Sequence, residues 1–122
     1  MISRLSDRAP DHASPVDPAP LLGEWVNYEV DSRNIASLTI SIRDESAIVN
    51  ITGWGEATAF PFALTTAGGE AVAFRAAYDF GFARIALLAY LNKRLLVVDA
   101  YTTFRDDSGR SSYFVRDHFY LR

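Results

Sequence analysis

The chain contains no cysteine. Disulfides, thiolate nucleophiles and cysteine-based metal sites are excluded together, and this usage fits a reducing compartment such as the cytoplasm. Histidine is almost as scarce, with His12 and His118 the two copies. That leaves no ligand set for zinc, so neither a metal nor another cofactor is expected. No uninterrupted apolar run approaches the roughly 20 residues of a membrane-spanning helix. Basic residues are also in deficit, 12 Lys and Arg against 15 Asp and Glu for a net charge of −3. They form no cluster of the kind that phosphate-backbone binding requires, so nucleic acid is not an expected partner.

Hydrophobic residues make up 49% of the 122 positions, which suits one globular domain with a single core. Four of the five prolines crowd into residues 1–20, a stretch without an apolar centre. It is not a signal peptide, and it buries too little apolar surface to offset its ordering entropy. Residues 1–20 therefore read as a disordered leader carrying a solvated His12, or as a peptide folded back over the domain. Residues 21–122 read as the domain.

From Leu21 onward, turn chemistry recurs at short intervals. It appears at Asp31-Ser32-Arg33-Asn34, Asp44-Glu45, Gly53-Trp54-Gly55, Ala67-Gly68-Gly69, Asp79-Phe80-Gly81, Asn92-Lys93 and Asp106-Asp107-Ser108-Gly109. Glycine, Asn and Asp tolerate the positive φ of tight reversals. The spacing predicts eight strands, near 22–30, 35–43, 47–53, 56–64, 70–78, 82–91, 95–104 and 111–121. Connections this short leave no room for parallel crossovers, so the strands should form an antiparallel meander.

Leu38-Thr39-Ile40-Ser41-Ile42 alternates as a half-buried strand does, and Val72, Phe74, Ala76 and Tyr78 share one face. Pro61 implies an edge, a bulge or a poorly paired fourth strand. Residues 82–91 have helix-forming composition, but their flanking turns sit at strand spacing. The expected fold is all-β, an eight-stranded antiparallel up-and-down β-barrel, because closure removes exposed edges. A two-sheet sandwich is its competitor.

Gly23-Glu24-Trp25 followed by a β meander resembles the calycin superfamily of lipocalins, fatty-acid-binding proteins and avidins. Gly23-x-Trp25-x-Asn27 and the closing Asp117-His118-Phe119-Tyr120 are similar to the first and last avidin strands. The resemblance implies that Trp25 lies across the barrel floor, covered by Arg116 or Arg122 through a cation–π contact. It also implies that Asn27 points into the cavity, where avidins hydrogen-bond biotin. Tyr28-Glu29-Val30 replaces the Gly-Ser turn of avidins, and Trp54 is the one other tryptophan. The implied ligand is therefore not biotin but another small, largely apolar molecule.

The expected ligand-binding residues are Trp25, Asn27, Trp54, Phe74, Tyr78, Asp99, Tyr101 and Phe119. Asp99 interrupts an apolar strand; it either faces solvent or sits inside near Arg75, Arg84 or a ligand, with Val97 and Tyr101 sharing its face. On the last strand the apolar face should point inward, which puts His118 outside and makes Asp117 a second interior carboxylate. Near 82–104 apolar side chains fall on both faces: Ile85, Leu87, Ala89 and Leu91 on one, Phe82, Ala86, Leu88 and Tyr90 on the other. A homodimer through that wall is the expected cover.

Two functions of different class follow. One is a barrel holding an apolar or aromatic metabolite for carriage, sequestration or self-protection. The other is a cofactor-independent cyclase or isomerase acting on a hydrophobic, polyketide- or terpenoid-like intermediate. There Asp99 or Asp117 would act as acid or base, with Tyr101 assisting. A barrel filled solid and used as an interaction module is a third class.

Overall fold

The computed structural model describes residues 16–31, 34–107 and 109–122. The chain opens with a 3-10 turn, Ala19–Leu21. Eight strands follow: β1 Gly23–Asn27, β2 Ser37–Arg43, β3 Ser46–Ile51, β4 Gly55–Thr66, β5 Gly69–Asp79, β6 Ala83–Asn92, β7 Leu95–Phe104 and β8 Tyr113–Leu121. Each pairs antiparallel with the next, and β1 pairs with β8, so the sheet is a closed up-and-down barrel. The eight-stranded up-and-down barrel is thus present, and the sandwich is excluded. Residues 83–92 are a strand despite their composition, because Ile85, Leu87 and Ala89 are buried at period two. Of the leader, residues 1–15 lie outside the described residues. Ala19 and Pro20, grouped with it above, belong instead to the 3-10 turn.

The reversals lie where turn chemistry placed them. Asp44, Glu45 and Lys93 have φ of 51°, 67° and 60°, the left-handed geometry that two-residue hairpins need. Gly23 has a different reason to be glycine. Its φ is +131°, and a Cβ there would stand 2.7 Å from Leu121 Cδ1 on the closing strand. Cδ1 is the movable end of a half-exposed leucine, so the backbone angle is the stronger requirement for the glycine of Gly23-x-Trp25.

Pairing is staggered around the ring, as closure requires. β3 pairs with Gly55–Ala59 of β4, while β5 pairs with Phe60–Thr66. Pro61 lies just beyond the β3 ladder, on a stretch of β4 that is an edge on that side. Its missing N–H costs no bond with β3 there.

Inward-facing side chains meet in cross-strand rows, such as Phe74, Ala89, Val98 and Asp117, or Leu91, Leu96, Phe119 and Asn27. In the first row Phe74 meets the smaller Ala89 and Val98, and in the second Leu91, Leu96 and Phe119 lie side by side, which together fill the interior. Phe74, Phe119, Leu38, Ile40, Val49, Ile51 and Leu96 are essentially inaccessible and form one continuous cluster with Trp25. Each such side chain contributes about 1.5–3 kcal/mol through burial.

One end of the barrel, here the lower, carries the 3-10 turn and the turns at 44–45, 67–68 and 93–94. The upper end carries Tyr28, Ala36 and the turns at 52–54 and 80–82. No helix among the described residues is long and apolar enough to cross a membrane.

Candidate functional site

Trp25 anchors the lower end. It is 3% exposed, and its Nε1–H donates to the Leu21 carbonyl at 2.8 Å. That bond satisfies the one polar atom of the indole and fixes the 3-10 turn, with Leu21 buried against the core. The cover over Trp25 is thus the segment preceding β1 and not a C-terminal arginine. Arg122 pairs with Glu24 at 3.6 Å, and Arg116 pairs with Asp99.

Asn27 does point inward and is buried, and both polar atoms of its amide have protein partners. Nδ2 donates to the Ile35 carbonyl and Oδ1 accepts from the Glu29 N–H, both at 2.8 Å. The side chain ties down the β1–β2 connection and carries Ile35 into the core. Phe74 and Phe119 are likewise interior, at 1% and 0% exposure, packed against protein. The lower interior is therefore filled by side chains, and Phe74 and Phe119 do not line open space.

At the upper end Trp54, Tyr78 and Phe80 form an aromatic lid. Trp54 meets Tyr78 and Phe80 edge-on at 5.4 and 5.9 Å, and Tyr78 stacks on Phe80 at 6.0 Å. The Tyr78 hydroxyl donates toward the Gly55 carbonyl at 2.9 Å, with Val49 O at 3.4 Å. Burial pushes the phenol's pKa up to about 12. Phe80 stays 39% exposed at the rim. Beside it, Asp79 accepts from the Gly81 N–H and from Arg105, which together hold its carboxyl below the usual range.

Asp99 and Tyr101 are where the interior reading fails. Their register partners are Leu88 and Arg116 for Asp99, and Ala86 and Phe114 for Tyr101, all on the outside of the wall. Asp99 accepts from Arg116 Nε at 2.6 Å and Nη2 at 2.9 Å. These bonds raise the guanidinium's pKa and neutralise the carboxylate. Tyr101 is 49% exposed. The reason is parity: Leu96 and Val98 face the core, so Val97, Asp99 and Tyr101 must face out. Val97 is nonetheless 1% exposed, flanked in register by Tyr90 and His118.

A concave site lies where β1 leaves the wall. Beyond Asn27 the chain makes one more bond to β8, Tyr28 N–H to the His118 carbonyl at 2.8 Å, and then departs. Among the described residues, β8 has no β1 partner in its upper half, Tyr113–Asp117. A groove of about 450 Å³ follows this break, lined by Asn27, Tyr28, Glu29, Leu95, Arg116, Asp117 and His118. Asp117 shares the inward row of Val98 and is half-buried. Among the described residues its carboxylate has neither an ion pair nor a side-chain hydrogen bond. His118 faces outward beside Val97.

The groove brings Asn27 and Asp117 together and leaves Trp25, Phe74 and Phe119 in the core. Tyr28, Glu29 and Leu95 are lining residues that sequence reasoning missed. Their signal is faint, because the break is set by where β1 stops pairing and not by any motif. No family model, curated protein or solved structure matches the chain.

Proposed function

We propose that this barrel binds a small, largely apolar or aromatic compound in the groove where β1 parts from β8, as a carrier, sequestering or self-protection protein. The groove is the observation that carries the reading. Its volume of about 450 Å³ falls in the range of small-molecule sites. Tyr28 and Leu95 offer apolar contact, and Glu29, Arg116, Asp117 and His118 offer orienting polar groups. A closed barrel supplies the rigid support that such a site needs.

The expected compound has an apolar or aromatic body and a polar edge. Native mass spectrometry of protein isolated from its own host should show a non-covalent adduct. Nile red should bind saturably, and Tyr28→Ala with Leu95→Asp should weaken it about tenfold, the loss of roughly 1.4 kcal/mol of apolar contact. A protein with neither adduct nor saturable dye binding overturns the reading.

Asp117 supports a second reading, the cofactor-independent cyclase or isomerase. An unpaired, half-buried carboxylate beside a groove has the placement of a general acid or base. Asp99 and Tyr101 have no part in it, since they lie on the outer wall. The compound recovered from wild type and from Asp117→Asn separates the two readings. The same compound on both supports the carrier; an isomer held by the variant alone supports catalysis.

A further inference from the structure

We infer that the outer wall of β5 to β8 is the contact face of a homodimer in which each copy's aromatic ridge fills the other's hollow. One outward row runs Ala77, Ala86, Tyr101, Phe114 across four successive strands. Two small residues are thus followed by two large ones. The alanines are exposed, and Tyr101 and Phe114 are 49% and 53% exposed. A hollow of about 320 Å³ lies over this part of the wall, lined by Ala86, Leu87, Leu88, Asp99, Tyr101 and Phe114.

A two-fold axis lying in the interface, parallel to the strands and between β6 and β7, reverses this row on the facing copy. Small then meets large at every position: Ala86 faces the copy's Tyr101, and Ala77 faces its Phe114. Such a surface is self-complementary, the requirement of an isologous interface. The axis also keeps the strands of the two walls near parallel, as aligned sheet packings do.

Charge permits the approach. The neighbouring row runs Arg75, Leu88, Asp99 and Arg116. Arg75, at its edge, lies over the Phe62 ring, and Asp99 and Arg116 are joined by two short hydrogen bonds, with the Asp99 side chain 12% exposed. Nearest the axis the copy therefore meets Leu88 and a paired carboxylate, where an unpaired one would oppose burial. In the next row Ala73 and Val97 are outward yet 0% and 1% exposed, so the wall is already dry beside the hollow. A second copy of the chain is the occupant that this small-to-large order fits.

Light scattering of the full chain from 1 to 100 µM tests the proposal. Wild type should run at twice the 13.6 kDa chain mass. Ala86→Lys, which fills the hollow with a charge, and Tyr101→Lys, which removes the ridge, should each run as single chains. Thr39→Lys, on the exposed outer wall of β2, should leave the dimer intact. Circular dichroism of every variant checks that the barrel is folded. A wild type that is a single chain at 100 µM overturns the proposal. So does a dimer that survives both Ala86→Lys and Tyr101→Lys in folded protein.

Discussion

Asp99 and Arg116 face each other across β7 and β8 on the outside of the barrel, joined through Nε and Nη2 at 2.6 and 2.9 Å. A carboxylate set in an apolar strand is here half of a bidentate surface pair. Arg116 also lines the groove, so Asp99→Asn should change Nile red affinity, but by less than Tyr28→Ala with Leu95→Asp does. It should lower stability by about 1 kcal/mol, the upper range for a partly exposed pair. Urea denaturation beside dye titration checks both.

Trp25→Phe keeps most of the ring volume but removes the donor to the Leu21 carbonyl. The lost bond and the reduced packing together should cost about 2–3 kcal/mol. Hydrogen exchange should show loosening of the 3-10 turn before the rest of the wall.

Asn27→Ala should strand the buried Ile35 carbonyl and release the Glu29 amide, which Asn27 now satisfies. A cost of about 2–3 kcal/mol follows from one unsatisfied buried acceptor and one lost turn bond. A variant as stable as wild type in urea contradicts the tie assigned to this amide.

Tyr78 gives the barrel a sensitivity to alkali. Its folded pKa of about 12 lies above the ordinary phenol value, so the folded state favours the protonated form. The linked stability is fully present below pH 10 and is lost as pH rises through 12. Wild type should therefore lose Tm between pH 10 and 12 more steeply than Tyr78→Phe, although the variant starts lower because it lacks the bond to Gly55.

Gly23→Ala places a side chain at φ +131° and within 2.7 Å of Leu121 Cδ1. The backbone strain alone should cost about 1–3 kcal/mol. Pairing it with Leu121→Ala should recover the contact cost but not the strain. Thermal denaturation of the single and double variants measures each part.

Strand positions were legible because the hairpins are short and punctuated by residues with a physical need for positive φ. Leu38 to Ile42 and Val72 to Tyr78 announced their faces by alternation, and Asp117 and His118 were assigned to the correct sides by the same logic. Asp99 was ambiguous because Val97 and Val98 are both apolar and both buried, one inside and one beneath outer-wall neighbours. Parity has no contrast to read in such a stretch. The groove was not legible, since it depends on where β1 ceases to pair with β8. Asn27 was read correctly as inward, but its engagement by Ile35 and Glu29 depends on a loop conformation that composition does not encode.

The closing ladder pairs Trp25–Asn27 with Phe119–Leu121, joining the two most distant strands of the sequence through the shortest set of partners. Every other ladder joins neighbours through a local hairpin. Closing the longest loop costs the most entropy before any contact rewards it. The ring should therefore zip from hairpins outward and snap shut last at this seam, so mutations at Trp25 or Leu121 should accelerate opening far more than they slow collapse. The quiet seam of the native barrel is then the gate through which it unfolds.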